Sequence, residues 1–411
     1  MEQRKLLRTV ETVASKSFPS FRELMQEVVD QLVENEEIKV TGGRVWKLNR
    51  PEKAYQIYYQ QGSVTRIRKN YRLLVDDFPI FSKIAQKRTV LADETDEFLI
   101  KKGIFKYSAS GFGSKLKIGD KSYYEYLIAV NSDDVDENLG YTLNIVATIL
   151  TSKLKEKRIT ESRVNLLEDI DSAKRLQKSI LPEHEYTFHD YQLFGVTVPA
   201  RTLGGDFFDY LPIGDDEERL GITIGDAASK GIAAAAEAMY ISGAIRMASK
   251  FQIKISPLMT RINEIVNKIF ADDRFASFFY GEISNDRKGL FLYSNAGHNP
   301  PMFISKNGKK ISYLDPTGPL LGPAPQSRYE TDSLNFSTGD VLLLYSDGIV
   351  EAANNKFHFF GENRLKNVLR KNHINPPKKI AYAILDEVYK FSTEDSEYQD
   401  DKTVVIIKKI K

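Results

Sequence analysis

Aspartates beside glycines or apolar runs occur in four distant segments of the second half of the 411-residue chain. The segments are GGDFFD (204–209), GITIGDAASKG (221–231), VLLLYSDG (341–348) and QDDKTVVIIK (399–408). In the second and third, an apolar run typical of a buried strand ends at Asp226 and Asp347. Mg²⁺ and Mn²⁺ prefer carboxylate oxygens as ligands. Two such ions, about 3.5–4 Å apart, lower the pKa of a shared water and offset phosphoryl charge, so the four segments indicate a two-metal hydrolytic site.

Each segment also has a simpler interpretation. An Asp-Gly pair after a strand is usually a turn, because both residue types favour turns, and Asp400-Asp401 could be a solvated strand end. GGDFF alone is similar to the GGDEF signature of diguanylate cyclases, which makes a nucleotide cyclase a competing function. A cyclase would not need Asp347 or Asp400, and the joint occurrence of all four segments favours the hydrolytic site.

The composition of the chain excludes several other kinds of chemistry. It has no cysteine, so a cysteine nucleophile, a disulfide and a zinc–thiolate site are all excluded. A net charge of +2, from 58 basic and 56 acidic residues, gives no basic excess for a nucleic-acid partner. The N-terminus lacks the apolar core of a signal peptide, and no apolar run approaches the roughly 18 residues of a membrane span. We therefore expect a cytoplasmic protein without a membrane partner.

Apolar periodicity predicts the elements that position these aspartates and divides the chain into residues 1–150, 151–182 and 183–411. The first part is predicted as an α+β sensor domain. Its predicted elements are a helix at 21–33, strands at 44–48, 54–59 and 124–130, and a helix at 139–155. The predicted strands of the third part are 191–198, 219–224, 278–283, 289–293, 301–304, 340–345 and 403–407. Its predicted helices are 232–250, 255–269, 361–371 and 377–391, an order that favours two sheets with helices outside.

The part between them is a charged helical stretch that ends at Pro182. Its apolar residues fall close to a 3.5-residue repeat, at Leu166, Ile170, Ala173, Leu176 and Ile180. Such a helix either covers the surface of one domain or pairs with a second copy as a coiled coil, which would make the protein a homodimer.

Together these motifs make residues 165–411 resemble the SpoIIE/RsbU-type branch of the metal-dependent PPM (PP2C-like) serine/threonine protein phosphatases. The matching segments follow the family order: DSAKRLQKSILP, GGDFFD, GDAASKG, NAGHNPP (295–301), TGPLLG (317–322), GDVLLLYSDGIVEA (339–352) and QDDKTVVI. The resemblance implies a βααβ sandwich with two Mn²⁺ or Mg²⁺ ions. The ligands that it implies are Asp206, Asp209, Asp226, Ala227 through its carbonyl, Asp347 and Asp400.

The resemblance also implies roles for these residues. Asp226 would bridge both ions and, with Asp347, form the catalytic centre, while Asp206 would be an outer ligand and Asp209 a weaker candidate. Asp401 fits less well than Asp400. Arg201 is a candidate phosphate-binding residue, with a surface arginine as the alternative. For His298 a general acid is one interpretation, and a histidine that fixes its turn by hydrogen bonds is the one we favour.

The reaction implied is attack of a metal-activated water on a phosphoserine or phosphothreonine. The implied substrate is a phosphorylated regulator of the anti-sigma-factor-antagonist type. A non-catalytic regulator that only binds its partner is the alternative, although every expected metal aspartate is present.

Residues 1–150 resemble a GAF domain, with a PAS domain as the alternative, and would regulate the phosphatase. The NKFDE-type signature of cyclic-nucleotide GAF domains is absent, so the sequence leaves the small ligand unknown. Aromatic residues such as Trp46 and Tyr123 either line a pocket or belong to the core.

Overall fold

A computed structural model describes residue 18 and residues 20–34, 40–63, 65–132, 135–214, 218–251, 253–270, 274–286, 288–393 and 399–411. The chain divides into two compact units, with the boundary between Leu166 and Leu167. In the described ranges, no helix combines the length and the apolar character needed to cross a membrane.

The N-terminal unit is rich in β-strands. Its elements, in chain order, are α1 (Phe21–Glu34), β1 (Gly42–Asn49), β2 (Ala54–Gly62), β3 (Arg72–Leu74), α2 (Ile80–Lys87), β4 (Thr89–Asp93), α3 (Glu97–Ile100), β5 (Lys106–Ile118) and β6 (Lys121–Asn131). The strands form one sheet in the order β3-β2-β1-β6-β5-β4, and each neighbouring pair is antiparallel. The predicted helix at 21–33 and the three predicted strands are confirmed.

The two faces of this sheet carry separate cores, because side chains alternate between the faces of a strand. Val45 of β1 packs against α1, whereas its neighbour Trp46 faces α2 and α3. The first core includes Val28, and the second includes Phe81. Tyr123 is buried in the second core, as one of the two interpretations expected. The resemblance to a GAF domain stays a prediction.

A single long helix, α4 (Glu137–Ile180), follows β6. It contains the predicted helical segment 139–155 and nearly all of the predicted linker helix. Its buried side chains extend from Leu139 to Leu154. Beyond them several apolar side chains are exposed, among them Leu166, Leu167 and Leu176, while Ile170, Ala173 and Ile180 are partly exposed. Pairing of this helix with a second copy stays a prediction.

The C-terminal unit is a sandwich of two antiparallel sheets. Its strands are β7 (Glu185–Phe188), β8 (Tyr191–Val198), β9 (Asp206–Ile213), β10 (Arg219–Ala227), β11 (Ala276–Ser284), β12 (Leu290–Ala296), β13 (Met302–Ile304), β14 (Ile311–Tyr313), β15 (Asp332–Asn335), β16 (Val341–Tyr345) and β17 (Lys402–Lys409). Its helices are α5 (Ile232–Ser249), α6 (Ile255–Ile269), α7 (Asp347–Val350), α8 (Gly361–Asn372) and α9 (Pro377–Phe391). The sheet orders are β15-β12-β11-β10-β9 and β14-β13-β16-β17-β8-β7.

A shared core holds the two sheets together. Ile222 and Phe279 from the first sheet meet Leu344 and Val405 from the second. Helices α5 and α6 cover the outer face of the first sheet, and α8 and α9 cover the outer face of the second. The predicted α+β sandwich, with two sheets inside and helices outside, is therefore confirmed. In this arrangement β10 and β16 each deliver an aspartate where the strand gives way to the next element.

Candidate active site

The aspartates from the four segments meet at one rim of the sandwich. Asp226 near the end of β10 stands opposite Asp206 at the start of β9, because the two strands pair in antiparallel register. Asp347 directly follows Ser346 at the end of β16, and Asp400 precedes β17, the strand that pairs with β16. One hydrogen bond ties the sheets at this point, from Thr403 Oγ1 to Asp206 Oδ2 at 2.6 Å. Both sheets thus contribute carboxylates to one place.

Asp206 is the innermost member of the group. Its side chain is buried, and burial raises the pKa of the carboxyl well above its usual value. The neighbouring charge of Asp226 acts in the same direction, while the hydrogen bond from Thr403 opposes it. Asp206 thus lies deeper than the other aspartates of the rim, and its role as an outer ligand stays a prediction.

Asp226 and Asp347 are more accessible than Asp206, and the pKa values of their carboxyls are strongly raised. Burial raises the pKa of Asp226 to about 8, with further contributions from Asp347 and Asp400. Burial likewise raises the pKa of Asp347 to about 6, with Asp400 as the next cause. The three carboxylates therefore repel one another, and an added cation would relieve that repulsion.

Two lysines supply the nearby positive charge among the described residues. Lys230 Nζ lies 3.7 Å from Asp400 Oδ2, but both side chains are largely solvated. Lys402 Nζ donates to the backbone carbonyl oxygen of Asp400 at 3.3 Å. Within the same ranges, no three aspartate, glutamate or histidine side chains converge as a ready-made metal site. The aspartates of the rim influence one another through their charges, without direct contact between their oxygen atoms.

Asp401 has a structural task that differs from that of its neighbour Asp400. Its carboxylate accepts the backbone N–H groups of Ala200 at 2.7 Å, Gly205 at 2.6 Å and Asp206 at 3.3 Å. A Cβ at Gly204 would lie 2.4 Å from Asp401 Oδ2. The glycine is thus required by the close approach of this carboxylate, which fixes the loop before Asp206. The lesser fit of Asp401 to the ligand set agrees with this task.

Asp209 does not reach the rim. It lies three residues after Asp206 in β9, so the two side chains point to opposite faces of the strand. It is buried and forms an ion pair with Arg246 of α5, and its Oδ1 accepts the N–H of Tyr210 at 2.9 Å. Its charge is already matched, and we leave Asp209 out of the ligand set proposed below.

Ala227 is buried next to Asp226. A Cβ at Gly205 would lie 2.9 Å from the carbonyl oxygen of Ala227, so the glycine leaves space at that oxygen. Arg201 is exposed, and no hydrogen bond or ion pair joins it to the aspartates in the described part of the chain. Its role in phosphate binding stays a prediction.

His298 fixes its own turn, the interpretation favoured from the sequence. Its backbone N–H donates to Asn295 Oδ1 at 2.8 Å, and Asn295 Nδ2 donates to its carbonyl at 3.1 Å. Its Nδ1 lies 2.7 Å from Ser277 Oγ. Burial lowers the pKa of His298 to about 4, although the Tyr345 backbone opposes the shift. The ring is therefore neutral at physiological pH and unsuited to act as a general acid.

Two residues of this site have no role in the sequence interpretation. Thr403 donates to Asp206, and Ser346 Oγ joins the N–H of Thr403 at 3.0 Å to the carbonyl of Asp401 at 3.1 Å. The sequence does contain a pattern that indicates a role for Thr403, because this hydroxyl residue begins the apolar run TVVII. A polar side chain in a buried strand needs a partner, and the nearby carboxylates supply it.

The donor set fits divalent cations of the hard type. Carboxylate oxygens from both sheets and the backbone carbonyl oxygen of Ala227 are the ligand types that Mg²⁺ and Mn²⁺ take. The excess of negative charge at the rim also calls for a cation. The fold and the rim together define a class, a two-sheet sandwich with a carboxylate-rich site at one edge.

Comparisons with known proteins name that class. Residues 216–409 match the family model described as Stage II sporulation protein E (SpoIIE). The chain is 22% identical to the phosphoserine phosphatase RsbU of Bacillus subtilis over 277 residues, which are 67% of this chain and 81% of RsbU. Most of the C-terminal unit is therefore similar to the SpoIIE family and to a relative that is named a phosphoserine phosphatase.

Two further similarities bear on the length and the fold. The chain is 29% identical to protein IcfG of Synechocystis sp. over 287 residues, which are 60% of this chain and 43% of IcfG. It thus spans less than half of that relative. The SiaA-PP2C domain of Pseudomonas aeruginosa superposes with a TM-score of 0.51 at 18% identity, over 60% of this chain and 98% of that domain. This last similarity supports the sandwich fold.

Proposed function

We propose that this protein is a metal-dependent phosphatase that removes phosphate from a phosphoserine or phosphothreonine of a regulatory protein. The observation that carries the proposal is the rim of a PPM-type domain at which Asp226, Asp347 and Asp400 raise each other's electrostatic energy. The relative RsbU is named a phosphoserine phosphatase, which supports phosphoserine as the substrate group.

The proposed ligands of two Mn²⁺ or Mg²⁺ ions are Asp226, Asp347, Asp400 and the carbonyl of Ala227, with Asp206 as the outer ligand. When bound, the ions would supply the charge that activates a water and offsets the phosphoryl oxygens. The chain's own contribution is to hold these oxygens on rigid strand ends. Asp401 orients the loop before Asp206 through its three backbone hydrogen bonds.

The direct test is phosphate release from a phosphoserine protein with Mn²⁺ and with EDTA. Asp226→Ala and Asp347→Ala should each lower the rate by roughly 100-fold or more, equivalent to about 3 kcal/mol of transition-state stabilisation. Asp386→Ala, at an exposed aspartate of α9, is the matched control and should leave the rate unchanged.

Activity that is the same with EDTA, or unchanged in both rim variants, would sink the proposal. A wild-type protein that binds the phosphorylated regulator without releasing phosphate would point instead to the non-catalytic regulator.

The proposed substrate is a phosphorylated regulator of the anti-sigma-factor-antagonist type, and the proposed control is a GAF-like N-terminal unit that biases two states of the phosphatase. We further propose a homodimer joined by the exposed apolar side chains of α4, such as Leu166 and Leu176. The molar mass in solution tests the dimer. Leu166→Glu with Leu176→Glu should halve it, Glu168→Gln should not, and a monomeric wild type would contradict the proposal.

A further inference from the structure

The N-terminal unit encloses a cavity between its sheet and the helices α2 and α3. Its volume is about 60 Å³, which suits a molecule no larger than a short organic acid. Most of its walls are apolar, with Trp46 among them, but Arg44, Glu94 and Asn131 also line it. A charged residue inside a small apolar cavity requires an explanation, because buried charges are costly unless they are paired.

Arg44 is the unusual member of this lining. Its side chain is 3% exposed, and it lies two residues before Trp46 in β1, hence on the same face of the sheet. Nη1 donates to Asn131 Oδ1 at 2.6 Å, whereas Nε is buried without a hydrogen-bond partner. Burial lowers the pKa of Arg44 to about 10, so the guanidinium is still charged at neutral pH.

Glu94 does not neutralise Arg44 by direct contact. No ion pair between the two is found among the described residues, and Glu94 influences Arg44 only over a longer distance. Glu94 Oε1 accepts the N–H groups of Thr95 at 2.8 Å and Asp96 at 3.0 Å. Burial also raises the pKa of Glu94, so this carboxyl takes up a proton more readily beside a second anion. The group in the cavity that lacks an anionic partner is therefore the guanidinium of Arg44.

The unpaired Nε of Arg44 indicates which kind of ligand group would bind here. Nε belongs to the side edge of the guanidinium, and that edge binds a carboxylate through two parallel hydrogen bonds. The end of the group is already occupied at Nη1 by Asn131. A ligand that offers a carboxylate at Arg44 and a short hydrocarbon chain to the apolar walls would satisfy both parts of the cavity.

We propose that the N-terminal unit binds a short-chain monocarboxylate in this cavity, with its carboxylate on Arg44 and its hydrocarbon chain beside Trp46. The site is independent of the phosphatase rim, and its ligand is a candidate signal for the control proposed above.

Calorimetric titration of the full chain with propionate tests the proposal, with propionamide as the neutral isostere and propylamine as a cationic probe of similar length. Propionate should bind saturably at one site per chain. Propionamide and propylamine should bind at least about tenfold more weakly, because neither offers an anion to Arg44. Binding of propylamine or propionamide that equals or exceeds that of propionate would overturn the proposal. So would the lack of saturable binding of every acid from acetate to butyrate by the folded wild type.

Three variants separate recognition from stability. Arg44→Lys keeps a positive charge but loses the two parallel N–H donors of the guanidinium. Ala109→Leu fills the cavity while leaving Arg44 intact. Arg158→Lys is the control, because Arg158 pairs with Glu125 outside the cavity. Circular dichroism identifies which variants fold. The first two should lose propionate binding by at least about tenfold and the control should retain it. Unchanged binding in a folded Ala109→Leu protein would contradict the proposal even if Arg44→Lys does not fold.

Discussion

Carboxylates of the C-terminal unit fall into two groups that differ in whether an arginine pairs with them. Away from the rim, each of three buried carboxylates has an arginine partner. The pairs are Asp209–Arg246, Glu237–Arg274 at 2.6 Å and Glu282–Arg219 at 3.1 Å. At the rim, no arginine pairs with Asp206, Asp226, Asp347 or Asp400 in the described part of the structure. The nearby cations are the solvated Lys230, and Lys402, which donates to the backbone carbonyl of Asp400.

The contrast shows that the lack of compensation at the rim is local. In the described part of the domain, Asp209, Glu237 and Glu282 each have an arginine partner, whereas the rim carboxylates from the four segments have none. Burying a charge without a partner destabilises a protein, so such a cluster is expected where a ligand supplies the missing charge. The same physical criterion, whether a carboxylate has a cationic partner, separates the proposed site at the rim from the paired Asp209.

The largest effect on stability is expected at Arg246. Arg246→Leu should lower the free energy of unfolding of the C-terminal unit by about 3 kcal/mol, because it leaves the buried Asp209 unpaired. Urea unfolding of both proteins measures the loss, and the difference between them should be the same with and without Mn²⁺, because Asp209 lies outside the proposed ligand set.

Arg261→Leu is the matched control, since Arg261 forms an exposed pair with Glu264 and should cost less than about 1 kcal/mol. A difference between Arg246→Leu and wild type that becomes clearly smaller when both proteins are saturated with Mn²⁺ would contradict the distinction between Asp209 and the rim.

A smaller effect is expected at Lys230, which competes with added cations for Asp400. Lys230→Met should tighten Mn²⁺ binding by up to about fivefold, because an exposed ion pair is worth at most about 1 kcal/mol. Calorimetric titration with Mn²⁺ measures the change, and Lys268→Met, at an exposed lysine of α6, is the control. Weaker Mn²⁺ binding by Lys230→Met would mean that the lysine supports the site rather than competes for it.

Much of the fold follows from the apolar pattern. Helices α6 and α9 begin and end where the periodicity places them, and so does β8. Strand β5 has no prediction, because the glycines and serines in KYSASGFGSKLKI obscure its alternation. Pairing with β6 on one side and β4 on the other makes it a strand all the same, and such tertiary pairing overrides local preference.

The site could be predicted in part for a similar reason. Strand β10 and strand β16 end visibly in Asp226 and Asp347, but β9 was not predicted as a strand. Unless β9 is known to be a strand, the segment GGDFFD does not show which of Asp206 and Asp209 faces the site. Alternation along the strand places the two side chains on opposite faces. The role of Asp401 depends on contacts with Ala200 and Gly205, which lie 201 and 196 positions away in the chain. No local pattern encodes it.

The measurement that bears most directly on the rim is thermal unfolding at pH 8 of wild type and Asp347→Asn, each with EDTA and with Mn²⁺. With EDTA, Asp347→Asn should be more stable by roughly 1 kcal/mol, because one of the mutually repelling carboxylates has become neutral. Mn²⁺ should raise the unfolding temperature of wild type and have little effect on the variant. A wild type that Mn²⁺ does not stabilise, or a variant that is less stable with EDTA, would contradict the account of an uncompensated metal-binding rim.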